Sequence, residues 1–183
     1  MTDIPIDPRI VCNQMLEEAD ELGVQISNLA LQKLLYFAHA HHLIEQKKPL
    51  VVGYFEAWKY GPVHPAAYTA FKSAGEKPIT FRADRVNVLT GKRSPLPDLT
   101  EPVTRRLIRK VMSSYGSMTP GRLVDISHAI GAPWHSVVDT ARDSMAFGLR
   151  ISDDLIIERF KFHKVSIGLK PAAGEPGEDT PFT

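Results

Sequence analysis

The chain has 183 residues, 43% of apolar type and 23% charged, with 22 basic against 21 acidic side chains and a formal net charge of +1. Such a balance describes one globular domain able to bury a core; it argues against a general nucleic-acid binder, which needs an excess of Lys and Arg, and the longest apolar runs fall far short of the roughly 20 residues that span a bilayer. A lone cysteine, Cys12, excludes an internal disulfide and a cysteine-built zinc site, and the opening Met1-Thr2-Asp3-Ile4-Pro5 lacks the pattern of a secretory signal, so a cytoplasmic location is expected.

In chain order, the first predicted helix is capped by Asp7, starts at Pro8 and closes at Gly23. Val11, Met15, Ala19 and Leu22 form its apolar stripe, with Glu17, Glu18 and Glu21 facing elsewhere. The second helix has Ser27 as N-cap, Ile26 and Leu31 as a hydrophobic staple, and a face of Leu31, Leu34, Leu35, Ala38 and His42. It should lie centrally and run to about Gln46. Leu50 to Trp58, rich in β-branched and aromatic residues, predicts one or two short extended segments. Tyr60-Gly61-Pro62-Val63 reads as a turn, and His64-Pro65 opens a third helix to Ser73. Ile79-Thr80-Phe81 and Val86-Asn87-Val88 are the candidate arms of a small hairpin, with Thr90-Gly91-Lys92 as loop. Helices resume at Thr100, with a stripe of Val103, Leu107, Val111 and Tyr115, and again at Thr119-Pro120. Pro133-Trp134 introduces a short segment, and Ser152, followed by Asp153 and Asp154, caps a last helix that buries Leu155, Ile156 and Phe160.

The predicted architecture is mainly α: a single compact multi-helix domain over residues 1–170 with a minor short β element. The remaining stretch, 171–183, is dominated by Gly, Pro, Glu and Asp. It buries too little apolar surface to offset its ordering entropy and reads as a flexible tail.

Catalytic and metal constellations find little support. His39, His41 and His42 cluster on the second helix, yet no HExxH occurs and no Asp, Glu or Cys stands beside them at ligand spacing. There is no G-x-S-x-G elbow, and Gly91-Lys92 lacks the preceding glycines of a phosphate loop. No catalytic residue, metal or cofactor is therefore assigned. Two charge features remain: an acidic first helix (Glu17, Glu18, Asp20, Glu21) and a basic helix carrying Arg105, Arg106, Arg109 and Lys110. The basic face suits phosphates, but overall neutrality favours a solvated face, pairing with acidic surfaces within the fold, or an acidic partner protein. The segment Phe55 to His64 sets Trp58, Lys59 and Tyr60 against an obligatory turn, the composition of an interface anchor. The expectation is Trp58 inside, with Lys59, Tyr60 and His64 outside.

These residues resemble a known family. Leu31-Gln32-Lys33-Leu34-Leu35-Tyr36-Phe37-Ala38, then Lys48-Pro49-Leu50 and Glu56-Ala57-Trp58-Lys59-Tyr60-Gly61-Pro62-Val63, is similar to the Panacea domain, which includes the SocA-type antitoxins. The likeness continues through Leu123-x-x-Ile126-Ser127-His128, Pro133-Trp134 and Ile151-Ser152, about residues 8 to 162. The resemblance implies an α-helical, non-enzymatic domain that binds and neutralises a cognate toxin. For SocA-like members it further implies a proteolytic adaptor delivering that toxin to the ClpXP protease. Lys33, Tyr36, Trp58, Lys59, Tyr60 and His64 are the candidate partner-binding residues of the motif-bearing face. Arg105, Arg106 and Arg109 are a second candidate surface. Neutralisation by occupancy alone, or a nucleic-acid-binding regulator using Arg105–Lys110, are the alternatives. The family core does not require the tail after Pro171; a tether to a protease is one use for it.

Overall fold

The second helix, α2 (Asn28–Gln46), is the axis of the molecule. In this computed structural model, which describes residues 5–142, 149–161 and 177–181, every α2 side chain from Asn28 to Ala40 is buried. A helix covered on all sides must satisfy its polar groups internally. Gln32 donates to Asn28 Oδ1 at 3.0 Å and accepts from the His64 amide at 3.1 Å, and Asn28 donates to the Tyr68 carbonyl at 3.3 Å. His39 meets the Asp153 carboxylate at 2.9 Å.

Around this axis pack α1 (Pro8–Leu22), α4 (Pro102–Tyr115), α5 (Pro120–Ser127) and α7 (Asp153–Arg159), while α3 (Pro65–Phe71) and α6 (Pro133–Arg142) complete the shell. The caps follow the sequence. Asp7, Ser27, Thr119 and Ser152 each accept from an amide of the first turn, and Gly23 closes α1 in the left-handed conformation. α4 starts at Pro102 rather than Thr100 and is capped by Glu101, which accepts from the Val103 and Thr104 amides; against desolvation, these bonds hold its carboxyl below the ordinary range. Among the described residues no helix is long and apolar enough to cross a membrane.

A three-stranded antiparallel sheet lies against α2 in the order β2-β1-β5, formed by β1 (Phe55–Trp58), β2 (Gly61–Val63) and β5 (Arg150–Ile151). Trp58 pairs with Gly61, so the turn is the two-residue Lys59-Tyr60, and Gly61-Pro62-Val63 is strand rather than turn. Pro62 is tolerated because β2 is an edge. The second hairpin joins β3 (Asp84–Val86) to β4 (Arg93–Pro95), not Ile79–Phe81 to Val86–Val88; Ile79 instead donates its amide to Ile26, and Thr90-Gly91 lies in the loop.

Two stripes differ from expectation. Leu22 and Val103 are exposed, and the buried apolar residues of α4 are Leu107, Ile108, Val111 and Met112. Glu18, expected outside, is buried and meets Arg109 at 3.2 Å; Lys110 meets Glu45 at 3.4 Å. The acidic and basic helices thus answer each other across the α1–α4 contact and the neighbouring α2. Cys12 is buried in the core, and desolvation pushes its thiol pKa up.

Candidate functional site

Lys33 sits in the middle of an apolar helix, and its ammonium is buried at 0% exposure. Charge at such depth needs neighbours that replace water. Nζ donates to the Pro62 carbonyl at 3.0 Å and to the Asp179 carboxylate at 3.0 Å. Burial lowers the Lys33 pKa, and the Asp179 charge works against that shift. The second acid oxygen, Asp179 Oδ1, accepts from the Tyr60 amide at 2.8 Å and the Thr180 amide at 3.0 Å.

The walls of this cradle are the sequence motif. Gly61 has φ +104°, and a Cβ there would run into Ser127 Oγ and come within 3.0 Å of Lys33 Cε. Only glycine supplies both the torsion and the space. Ser127, at the end of α5, is buried and donates to the Val124 carbonyl at 2.8 Å. His128 stacks on Trp134 at 3.6 Å between ring centroids and 10° between planes, and the Trp134 indole donates to the Trp58 carbonyl at 2.8 Å. Burial, reinforced by the Lys33 charge and His135, lowers the His128 pKa to about 3. Its imidazole is therefore neutral at neutral pH.

The aromatic flank is Trp58 and Tyr68, edge to face at 4.8 Å. Trp58, 7% exposed, donates its indole N–H to Glu56 Oε2 at 2.8 Å. Tyr68 donates to Glu178 at 2.7 Å; burial, then the Glu178 hydrogen bond, pushes its pKa up to about 12.

Of the expected face, Lys33, Trp58, Lys59 and Tyr60 come together. Lys59 is exposed, with Nζ 5.1 Å from the Tyr60 ring centroid, and Tyr60 is partly exposed. Two members are differently placed. Tyr36 is wholly buried, edge-on to Phe55 at 5.4 Å, and desolvation pushes its phenol pKa up. His64, expected outside, is 3% exposed: its ring stands on Phe55 and bonds the Val52 carbonyl at 2.8 Å, and burial lowers its pKa. Both side chains hold the motif in shape from within. Arg105 and Arg109 make their contacts elsewhere, with the Leu99 carbonyl and Glu18 respectively, and Arg106 lines a groove with His42 and Lys110. Among the described residues no group of three His, Cys, Asp or Glu could hold a metal ion.

Sequence reasoning missed Asp179, Tyr68 and the packing role of Ser127. One signal was available for the first: a lysine inside Leu31-Gln32-Lys33-Leu34-Leu35 requires a buried anion, and the tail offers Asp179.

The chain matches the family model described as Antitoxin SocA-like, Panacea domain, over residues 31–135. It is 42% identical over 176 residues to Antitoxin SocA of Caulobacter vibrioides, an alignment covering 96% of this chain and 94% of that relative. No solved structure gives a significant match.

Proposed function

The chain belongs to the SocA-like Panacea-domain family, and from that premise we propose that it is the antitoxin of a toxin–antitoxin pair. It acts in the cytoplasm, without enzymatic chemistry of its own, by binding a cognate toxin protein and delivering it to the ClpXP protease. The observation that carries this reading is the near full-length likeness to a protein named Antitoxin SocA.

The site supports protein contact on physical grounds. The Lys59-Tyr60 turn is a short hairpin tip, its strands locked by Gly61 against Lys33 and by Trp134 against Trp58. A rigid tip presenting an aromatic and a cation loses little side-chain entropy on binding. Arg105, Arg106 and Arg109 remain the second candidate surface; of these, Arg106 lines the groove between α2 and α4 together with His42, Val103 and Lys110. The near-neutral charge and the pairing of Arg109 and Lys110 with Glu18 and Glu45 favour a protein partner over nucleic acid.

The test uses the toxin encoded beside this chain. Lys59→Ala with Tyr60→Ala removes the side chains of the tip and keeps its backbone amides. Toxin affinity should fall about tenfold or more, the loss expected for anchor residues, with far-UV circular dichroism unchanged. Unchanged affinity would remove this face from the proposal.

A further inference from the structure

We propose that the Lys33 cradle is an exchangeable binding site for an extended acidic peptide segment, held in this structure by the chain's own residues Gly177–Pro181. The segment is seated as a bound peptide is seated. Of its five residues only Asp179 is buried, at 1% exposure; Gly177 is intermediate, while Glu178, Thr180 and Pro181 are exposed. A single anchor fills a pocket, and the rest lies on the surface.

The bonds it makes are those a hairpin tip offers to any extended chain. The Lys59 amide donates to the Thr180 carbonyl at 3.0 Å, and the Tyr60 amide to the Asp179 carboxylate at 2.8 Å. Both are turn amides, outside the register of the β1–β2 ladder. Tyr68 adds a bond to Glu178 at 2.7 Å and a longer one to the Asp179 carbonyl at 3.4 Å. The recognised chemistry is therefore a carboxylate on a short side chain, an acidic residue before it, and a backbone carbonyl after it. Lys33, Tyr60 and Tyr68 come from α2, the hairpin and α3, whereas the occupying residues lie far along the chain, 146 positions from Lys33 to Asp179. The residues that wall the cradle all lie outside the segment. A buried ammonium bonded only to the Pro62 carbonyl would want another anion, so release of the tail makes the cradle receptive to a competing carboxylate.

On the toxin-binding reading above, on which only this last step rests, the competitor is an acidic segment of the toxin, and the tail acts as a resident pseudo-ligand that it displaces. Exchange itself can be tested without any toxin. The probe is a fluorescein-labelled peptide of residues 175–183, titrated into the full-length chain and into full-length Asp179→Ala. The peptide should bind Asp179→Ala saturably. Binding to the unaltered chain should be at least about tenfold weaker, because the tethered segment competes at an effective concentration of order millimolar. A peptide carrying Ala at position 179, and the Lys33→Met chain, should each abolish binding. Equal binding to both chains, or none to a folded Asp179→Ala, overturns the proposal.

Amide hydrogen exchange on the unaltered chain gives a readout independent of any variant. Lys59 and Tyr60 should exchange through a local opening well below the energy that protects α2. Protection of these two amides equal to that of α2 would make the segment a fixed part of the core and end the proposal. A failed peptide experiment leaves the antitoxin reading intact, whereas failure to capture a toxin leaves the exchange result standing.

Discussion

Substituting Asp179 by Ala removes the carboxylate 3.0 Å from a fully buried ammonium. At that separation the Coulomb attraction is about 5.5 kcal/mol for an effective dielectric near 20, and much of it is spent on desolvating both ions. Removing one partner of a buried pair commonly costs about 3–5 kcal/mol, because the other charge is stranded. Here the freed segment can leave and water can reach Lys33, so a smaller loss of about 2–3 kcal/mol is expected, or roughly 5–10 °C in Tm for a chain of this size. Lys33→Met behaves differently: a flexible apolar side chain of similar length takes the same space beside Gly61 and Ser127, and Asp179 returns to solvent with its segment. That substitution should cost no more than about 1 kcal/mol, and Asp179→Ala added to it should cost nearly nothing. Urea unfolding of the four chains yields the coupling energy directly. If Asp179→Ala costs the same in the unaltered background and in the Lys33→Met background, the two charges do not act as a pair and the account of the cradle fails.

Other consequences can be checked alongside. Gly61→Ala combines a left-handed φ with a clash against Ser127 and Lys33, and should destabilise by about 2–4 kcal/mol in denaturant titration; a cost under about 1 kcal/mol would mean the cradle is looser than described. The His128 pKa is about 3 when folded against about 6.5 unfolded. The unfolded chain therefore takes up the extra proton in that window, and stability falls as pH drops from about 6.5 toward 3. His128→Gln should flatten this limb of the Tm–pH profile, and an unchanged slope would count against a buried neutral imidazole. With Arg109 and Lys110 facing Glu18 and Glu45, duplex DNA should show no binding in a low-salt titration, and tight binding that weakens steeply with salt would restore the nucleic-acid alternative.

How much of the fold is legible in the sequence depends on whether a signal is local. Helix starts are legible because each is written within four residues, as at Asp7-Pro8, Ser27 and Ser152, and the caps form where those residues stand. The second hairpin is not: Ile79 has the β-branched look of a strand, yet its amide is taken by Ile26, and tertiary packing outweighs propensity. Periodicity puts Glu18 outside because it counts charge as polar, and the partner that lets it be buried, Arg109, lies 91 residues away. His64 is misplaced by the sequence for a related reason, since the Val52 carbonyl that accepts its bond comes from a separate segment. Apolar content does not register an ion: among the described tail residues Asp179 is buried, paired to Lys33. The motif residues locate the cradle; its occupant is signalled only by the need of a lysine within an apolar helix for a buried anion.

The proposal that this chain is an antitoxin working as a proteolytic adaptor is tested most directly by reconstitution. Purified toxin is incubated with ClpXP and ATP, with and without an equimolar amount of this chain, and its half-life is followed by gel. The toxin should be stable alone and degraded when the chain is present, while the chain itself persists through several rounds. A toxin half-life that the bound chain leaves unchanged would contradict delivery and reduce its role to occupancy.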